Sequence, residues 1–220
     1  MTSRGLFITL EGGEGAGKST QSKRLVAALK EHGIPCVATR EPGGSPGAEE
    51  IRELLVKGST DRWSATTEAL LMTAARNDHV ERTILPALQR GEWVICDRFY
   101  DSTIAYQGGG GGLGAAKIIE LQRWALGDLV PDVTFVFDLP PEKGLARAEG
   151  REEETAAGED RFERVSGDFH SRLRQAYLDI AKENIDRCRI IQADQSVEKT
   201  GAAIWAHLSP FIEKRALSDG

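Results

Sequence analysis

Residues Gly12 to Ser19 read Gly-Gly-Glu-Gly-Ala-Gly-Lys-Ser, and this stretch decides both the fold and the chemistry of the chain. Its spacing is that of a phosphate-binding loop, in which glycines let backbone N–H groups turn inward around a polyphosphate. Lys18 is placed to reach the β- and γ-phosphates, and the Ser19 hydroxyl is placed to contact Mg²⁺. The residues predicted to bind the nucleotide are Gly12, Gly13, Glu14, Gly15, Ala16, Gly17, Lys18, Ser19 and Thr20.

The segments on either side of this loop support the motif. Leu6 to Leu10 is an apolar run suited to a buried strand, and the residues after the loop place Leu25, Val26 and Leu29 at helical spacing. Strand, glycine loop and helix form the context that the motif requires, because the helix N-terminus adds the positive end of its dipole. The alternative, a plain glycine-rich turn, fits this context poorly.

Apolar strand-like runs alternate with helical patterns along the chain. Strands too apolar to have one solvated face predict an α/β fold, a mainly parallel sheet with helices on both sides. Ligands bind to such sheets beyond the carboxyl ends of the strands. The predicted strands are 6–10, 35–39, 93–96, 133–139 and 189–192, and the predicted helices are 18–31, 47–57, 65–90, 115–127, 161–185 and 197–213.

Two segments interrupt this alternation. Gly108 to Gly112 are five consecutive glycines, which fit either a solvated surface loop or a functional segment. Residues 149–160 are charged, contain glycine and lack periodicity, and we interpret them as a lid. We predict a single domain over 1–213 with a lid insertion at about 147–161, followed by a C-terminal tail at 214–220.

Composition narrows the class of protein. The 220 residues carry a formal net charge of −6, which argues against a general surface for nucleic acid or anionic membrane. No run approaches the roughly 18 apolar residues of a membrane span, and the N-terminus lacks a secretory signal pattern. Cys36, Cys96 and Cys188 lie in apolar runs. We interpret them as reduced thiols of a cytoplasmic protein, in preference to a disulfide set, a metal site or a nucleophile.

Charged residues follow two of the predicted strands. Asp97 ends the third strand, where a carboxylate can hold Mg²⁺ or its waters, and Arg98 is next to it. Arg40 ends the second strand before a Glu-Pro-Gly-Gly turn that can present it to an anion. The alternatives are a surface Asp–Arg pair and a solvated loop arginine.

Met72, Arg76 and His79 share one face of the predicted helix 65–90. Arg76 is a candidate for binding a base or a phosphate, with a structural ion pair as the alternative. His79 is interpreted as a hydrogen-bonding or packing residue and not as a catalyst.

Six short segments follow one another along the chain: 11–20 (EGGEGAGKST), 39–44 (TREPGG), 74–79 (AARNDH), 97–99 (DRF), 105–110 (AYQGGG) and 160–163 (DRFE). Together and in this order they resemble bacterial thymidylate kinases. The resemblance implies a three-layer P-loop nucleoside monophosphate kinase fold with a five-stranded sheet. It also implies Mg²⁺ and the transfer of the ATP γ-phosphate to dTMP, giving dTDP and ADP, in a homodimer packed through helices that include 65–90.

The resemblance further implies roles for individual residues. Glu14 would bind the sugar 3′-hydroxyl, and Arg98 with Arg40 would hold the acceptor phosphate. Arg76 and Thr103 would face the polar edge of thymine, Tyr106 and Gln107 would close around the nucleoside, and Pro42 would follow a cis bond. Many family members stack a phenylalanine on the base where this chain has Met72, whose thioether can pack on a ring. The implied substrate-binding residues are Glu14, Arg40, Met72, Arg76, Arg98, Thr103, Tyr106 and Gln107, and the implied metal ligands are Ser19 and Asp97.

The phosphate loop contains no arginine, so the resemblance is to those family members whose lid supplies the charge-stabilising arginine. Arg147, Arg151 and Arg161 are the candidates, and Arg151 is favoured because it lies in the irregular segment. The predicted catalytic residues are thus Lys18, Arg98 and Arg151, with a helix-end salt bridge as the alternative for the last. Adenine would lie near residues 193–195 by analogy of fold.

Two other functions remain open from the sequence. One is a P-loop kinase for a deoxynucleoside or a different monophosphate. The other is a nucleotide-dependent switch, although the Asn-Lys-x-Asp and Asp-x-x-Gly motifs of such proteins do not occur in the sequence.

Overall fold

A computed structural model describes residues 4–149 and 167–219 of the chain. Five strands form one sheet in the order β2-β3-β1-β4-β5, and every neighbouring pair is parallel. This confirms the predicted α/β class, and the strand bounds differ from the predicted ones by two residues at most. The strands are β1 Phe7–Gly12, β2 Cys36–Arg40, β3 Trp93–Asp97, β4 Val133–Asp138 and β5 Cys188–Gln192.

The register of the sheet brings the strand ends to one level. β1 lies at the centre and all of its residues are buried. Leu10 on β1 and Arg40 on β2 both pair with Asp97 on β3, and Gly12 pairs with Phe137 on β4. The loops that follow these strands therefore start from a common edge, which is the edge where ligands bind in parallel sheets.

Nine α-helices surround the sheet within the described residues. Three of them, α1, α2 and α6, begin and end within one residue of the predicted bounds, whereas α5 and α7 were not predicted. The helices are α1 Lys18–Glu31, α2 Pro46–Val56, α3 Ala65–His79, α4 Leu85–Gln89, α5 Tyr100–Thr103, α6 Ala115–Leu126, α7 Pro141–Glu149, α8 Gly167–Glu183 and α9 Val197–Asp219.

The predicted helix 65–90 is divided by a π-helical turn. This turn, Val80–Ile84, joins α3 to α4, and the N–H of Leu85 donates to the carbonyl oxygen of Val80, five residues earlier. Pro86 follows directly and has no N–H to donate to the preceding turn. A wider turn next to a proline is a known way to continue a helix without that bond.

The run of glycines is not a surface loop over its first three residues, so that interpretation is wrong for 108–110. Ile104–Gly110 is a second π-helical segment that packs against α8. A Cβ on Gly110 would lie 2.4 Å from Cε2 of Phe169, and one on Gly109 would lie 2.8 Å from Cβ of Ala176. Side chains of α8 thus occupy the space that a side chain on either glycine would need.

The C-terminal helix is longer than predicted. Residues 214–219, predicted as a tail, continue α9, and Arg215 Nη1 donates to the carbonyl oxygen of Gly91 at 2.9 Å. The predicted lid from residue 150 onward and the start of the predicted helix 161–185 lie outside the described residues. Arg151 and Arg161 belong to that part of the chain.

Apolar side chains fill both faces of the sheet. On one face Ile8, Leu29, Phe135 and Leu208 belong to a cluster that joins β1 and β4 to α1 and α9. On the other face Val136 packs with residues of α6 and α8. In the described part of the chain, no helix is both long and apolar enough to cross a membrane.

We expect Leu29→Ala to lower the free energy of unfolding by about 2–5 kcal/mol, because Leu29 is 0% exposed and truncation leaves a cavity. Leu217→Ala is the matched control, since Leu217 is a helical leucine that is 85% exposed, and its loss is expected to stay below about 0.5 kcal/mol. Urea unfolding followed by circular dichroism measures both values. Equal losses of unfolding free energy in the two variants would contradict the burial of Leu29.

Candidate active site

The phosphate loop leaves the end of β1 and enters α1. Gly12, Gly15 and Gly17 have φ angles of 136°, 64° and 90°, which other residues rarely adopt. The Lys18 ammonium lies inside the loop and donates to the carbonyl oxygens of Gly12 at 3.1 Å and Gly13 at 2.8 Å. The loop is therefore a backbone cradle with a lysine at its centre.

The charge of Lys18 is destabilised by its surroundings. Burial, followed by the nearby positive charge of Arg98, lowers the pKa of Lys18 from 10.5 to about 8, although the carboxylates of Asp97 and Glu14 oppose the shift. A lysine in this state gains from a negatively charged ligand, because the ligand restores the missing counter-charge.

Two oxygen-bearing side chains meet beside the loop. Ser19 Oγ donates to Asp97 Oδ2 at 2.7 Å, which joins the start of α1 to the end of β3. A hydroxyl and a carboxylate next to a phosphate cradle are the hard oxygen ligands that Mg²⁺ prefers. The residues present thus fit that metal.

Arg98 occupies the point where the loops from β1 and β3 meet. Its φ angle is 71°, and among the described residues it is the one non-glycine with a positive φ. Its guanidinium donates to the Gly12 carbonyl oxygen at 2.9 Å, to Tyr177 Oη at 3.0 Å and to Glu14 Oε1 at 2.9 Å. A strained backbone conformation and several hydrogen-bond partners together indicate that the position of the Arg98 guanidinium is important for function.

The turn after Arg98 is held by Glu11, a residue that the sequence analysis did not single out. Glu11 Oε1 accepts from the N–H of Phe99 at 2.7 Å, and Oε2 accepts from Ser102 Oγ at 2.6 Å. Burial, and then the charge of Asp101, raise the pKa of Glu11 to about 8. A lone glutamate in an apolar strand carries no sequence signal of this role.

Glu14 is an anion enclosed by donors. Its Oε1 accepts from Arg98 and also from Tyr106 Oη at 2.5 Å. Burial alone would raise the pKa of Glu14, but the charges of Arg98 and Lys18 outweigh it and lower the pKa to about 2.

Arg76 lies in a buried network. Its Nε donates to Glu41 Oε2 at 2.6 Å, and its Nη1 and Nη2 donate to Gln122 Oε1 and Thr103 Oγ1, both at 3.0 Å. His79 bonds the other Glu41 oxygen at 3.0 Å through Nδ1. Arg76 thus makes the structural ion pair that was its alternative and also lines a cavity. The following bond, Glu41–Pro42, is cis, as the resemblance implies.

Two cavities share a wall at the carboxyl edge of the sheet. The loop cavity, of about 770 Å³, is lined by residues that include 15–19, Arg40 and Asp97. The inner cavity, of about 680 Å³, is lined by seven of the eight predicted substrate residues, which are Glu14, Met72, Arg76, Arg98, Thr103, Tyr106 and Gln107. The residues that line both cavities are Glu14, Glu41, Arg52 and Arg98.

Some predicted residues lie apart from this wall. Arg40 lines only the loop cavity, and its Nη2 donates to Glu49 Oε2 at 3.1 Å. Thr20 is exposed. Arg147 donates to the carbonyl oxygen of Ala193 at 3.2 Å, in the segment where adenine was expected.

Arg52 was missed by the sequence analysis, although it lines both cavities. Its Nη1 donates to the Pro42 carbonyl oxygen at 2.8 Å. One arginine in a charged helix resembles any solvated helix residue, so the sequence alone gave no reason to select it.

Comparison with known proteins gives a consistent result. A sequence model described as thymidylate kinase matches residues 10–204. A thymidylate kinase of Caulobacter vibrioides is 56% identical over 201 residues, which are 91% of this chain and 94% of that protein. One of Pseudomonas putida is 50% identical over 210 residues, covering 96% of this chain and 98% of that protein.

A solved structure agrees with this assignment. The crystal structure of thymidylate kinase from Ehrlichia chaffeensis matches with a TM-score of 0.76 and 33% identity, covering 94% of this chain and 100% of that one. The five-stranded parallel sheet is thus that of a P-loop nucleoside monophosphate kinase. The chain belongs to the thymidylate kinase family.

Proposed function

We propose that the two joined cavities carry out the reaction of the family, in which an ATP-dependent nucleoside monophosphate kinase converts dTMP and ATP to dTDP and ADP. The observation that carries the assignment of the site is the shared wall. Arg98 and Glu14 face both a phosphate-loop cavity and a cavity whose lining includes the Met72 thioether, the Tyr106 ring and the Gln107 amide. A donor phosphate and an acceptor nucleotide bound in these cavities would meet at Arg98.

On the donor side, Lys18 and the N–H groups of the phosphate loop would bind the polyphosphate of ATP. Ser19 and Asp97 would hold Mg²⁺, which when bound supplies positive charge to the donor phosphates. Lys18 would exchange its bonds to the loop carbonyls for bonds to phosphate oxygens.

On the acceptor side, Glu14 would accept a hydrogen bond from the 3′-hydroxyl of dTMP. Arg76 and Thr103 would face the polar edge of thymine, while Met72, Tyr106 and Gln107 would enclose the nucleoside. The acceptor phosphate would bind Arg98, with Arg52 also in the shared wall and Arg40 in the loop cavity.

The transfer itself needs alignment and charge stabilisation. The acceptor phosphate is already negatively charged, so no strong general base is required. We assign the role of a cis arginine finger to Arg151, which would stabilise the charge on the moving phosphoryl group.

A coupled assay with a substrate panel tests the function. We expect the largest kcat/KM for dTMP and a value for dUMP lower by about 10–200-fold, since one methyl group is missing. Faster turnover of dCMP, AMP or thymidine would contradict the assignment.

The role of Arg98 is tested by Arg98→Lys, which keeps the charge but loses the planar fork that binds phosphate. The expected kcat/KM for dTMP is about 10–100-fold lower, which corresponds to the loss of charge-assisted hydrogen bonds. Arg90→Ala is the control, because Arg90 is an exposed arginine that pairs with Glu92. A value for Arg98→Lys equal to that of this control would remove Arg98 from the site.

The lowered pKa of Lys18 predicts that ATP binding depends on pH. Because its pKa in the free protein is about 8, Lys18 loses its charge as the pH rises through that value. The Kd for ATP is expected to be flat at lower pH and to rise about tenfold per pH unit above the pKa. Calorimetric titrations across this range check the profile. The inflection should persist in Lys23→Met and disappear in Lys18→Met, and its persistence in the latter would assign it to another group.

We also propose a homodimer, supported by exposed apolar side chains on neighbouring helices. Leu70 on α3 is 54% exposed and Trp124 on α6 is 84% exposed. Light scattering is expected to give twice the chain mass of 24.0 kDa, and Leu70→Glu should shift it towards the monomer. A monomeric wild-type protein would contradict the proposal.

A cytoplasmic location is proposed as well. It is supported by the three cysteines, which are free thiols at Cys36, Cys96 and Cys188, as is usual in a reducing compartment.

A further inference from the structure

The carboxamide of Gln107 has an unusual hydrogen-bonding pattern. The side chain belongs to the second π-helical segment, is 2% exposed and lines the inner cavity. Its Nε2 donates to Glu68 Oε2 at 3.1 Å. Its Oε1 is buried and accepts no hydrogen bond from the described residues. Buried carbonyl oxygens in proteins nearly always accept a hydrogen bond, so this oxygen is an unsatisfied acceptor that a donor can still bind.

The orientation of this amide follows from the chemistry of Glu68. An ionised carboxylate only accepts hydrogen bonds, so the NH₂ end of Gln107 must face it and the oxygen must face elsewhere. Glu68 lies in the first turn of α3, where the helix dipole favours a negative charge, and Ser64 Oγ caps that turn by accepting from the N–H of Thr67 at 3.2 Å. The Glu68 carboxylate is thus a hydrogen-bond acceptor in a defined position, in the first turn of α3.

The location of Glu68 leaves the Gln107 oxygen for a ligand. Glu68 is not among the described residues that line the inner cavity, whereas Gln107 is. One N–H of Nε2 is therefore engaged with a group that does not line the cavity. Oε1 is the polar atom of the amide that has no partner among the described residues, and we assign it to a molecule in the cavity.

Arg76 in the same wall supplies the opposite polarity, because a guanidinium can only donate. The Arg76 donor and the Gln107 acceptor together match the imide edge of thymine, where an N3–H donor lies beside a carbonyl oxygen. Cytosine presents the reverse pattern, an unprotonated N3 beside an amino group. Cytosine would leave both the amide oxygen and the arginine without a match.

We propose that Glu68 is a positioning residue that sets base selectivity by fixing the Gln107 amide with its oxygen towards the base. The proposal rests on the proposed function, in which the inner cavity binds the nucleoside. It assigns the choice of thymine over cytosine to a side chain that does not itself touch the substrate.

The test is the ratio of kcat/KM for dTMP to kcat/KM for dCMP in Glu68→Gln. The new amide can donate as well as accept, so Gln107 can turn over and offer Nε2 to the N3 of cytosine. We expect the ratio to fall at least about tenfold, the effect of one mismatched buried hydrogen bond. A change in the folded fraction would alter both rates equally and leave the ratio unchanged.

Three further variants sharpen the test. Glu81→Gln makes the same chemical change at an exposed position in the same helical run and should keep the wild-type ratio. Glu68→Asp retains a group that only accepts, and should keep the ratio closer to wild type than Glu68→Gln does. In a Gln107→Ala background, Glu68→Gln should change the ratio no further, because the amide through which it acts is gone.

The outcomes separate this proposal from the proposed function. Wild-type preference for a substrate other than dTMP would contradict the function before any variant is compared. Wild-type preference for dTMP together with an unchanged ratio in Glu68→Gln would leave the function standing and overturn the role of Glu68. An equal effect of Glu68→Gln with and without Gln107 would also overturn it.

Discussion

The ion pair between Arg98 and Glu14 is the contact on which the rest of the site depends. It joins the loop after β1 to the turn after β3, and both side chains face the two cavities. The pair requires Arg98 to take a left-handed backbone conformation. That conformation is held by Glu11 from the central strand, through the Phe99 N–H and the Ser102 hydroxyl. Core, turn and cavity wall are therefore one connected structure.

The site contains more charge than a protein interior usually tolerates. Lys18, Arg98 and Glu14 are all largely buried, and burial opposes the charged form of each. Removing one member of such a set leaves an uncompensated charge, which costs far more than the set contributes when complete. A phosphate-bearing ligand adds negative charge to the loop cavity, which is lined by four cationic side chains and three carboxylates: Lys18, Arg40, Arg52 and Arg98, and Glu14, Glu41 and Asp97. The charge distribution thus favours occupancy of the shared wall.

Most of the fold and the central part of the site could be predicted from the sequence, for a physical reason. The phosphate loop, Asp97 and Arg98 each follow an apolar strand directly, so their positions depend on local sequence and on the parallel sheet. Glu11 and Arg52 could not be found in this way, because their roles arise from tertiary contacts, of Glu11 with Phe99 and of Arg52 with Pro42. The sequence left two interpretations of Arg76 open, an ion pair and a ligand contact. Both remained because Arg76 pairs with Glu41 and also lines the inner cavity. The short helices α5 and α7 carry too little periodicity to be recognised.

The π-helical segment Ile104–Gly110 has a consequence for how the chain can vary in length. It carries Tyr106 and Gln107 at its centre, and its glycines lie against α8. Surface loops rich in glycine usually tolerate the gain or loss of a residue. Here, one residue fewer would rotate every side chain beyond the deletion around the helix axis, since each residue of a helix adds a fixed rotation. The number of glycines from 108 to 110 therefore matters, because it sets the alignment of the inner cavity with α8.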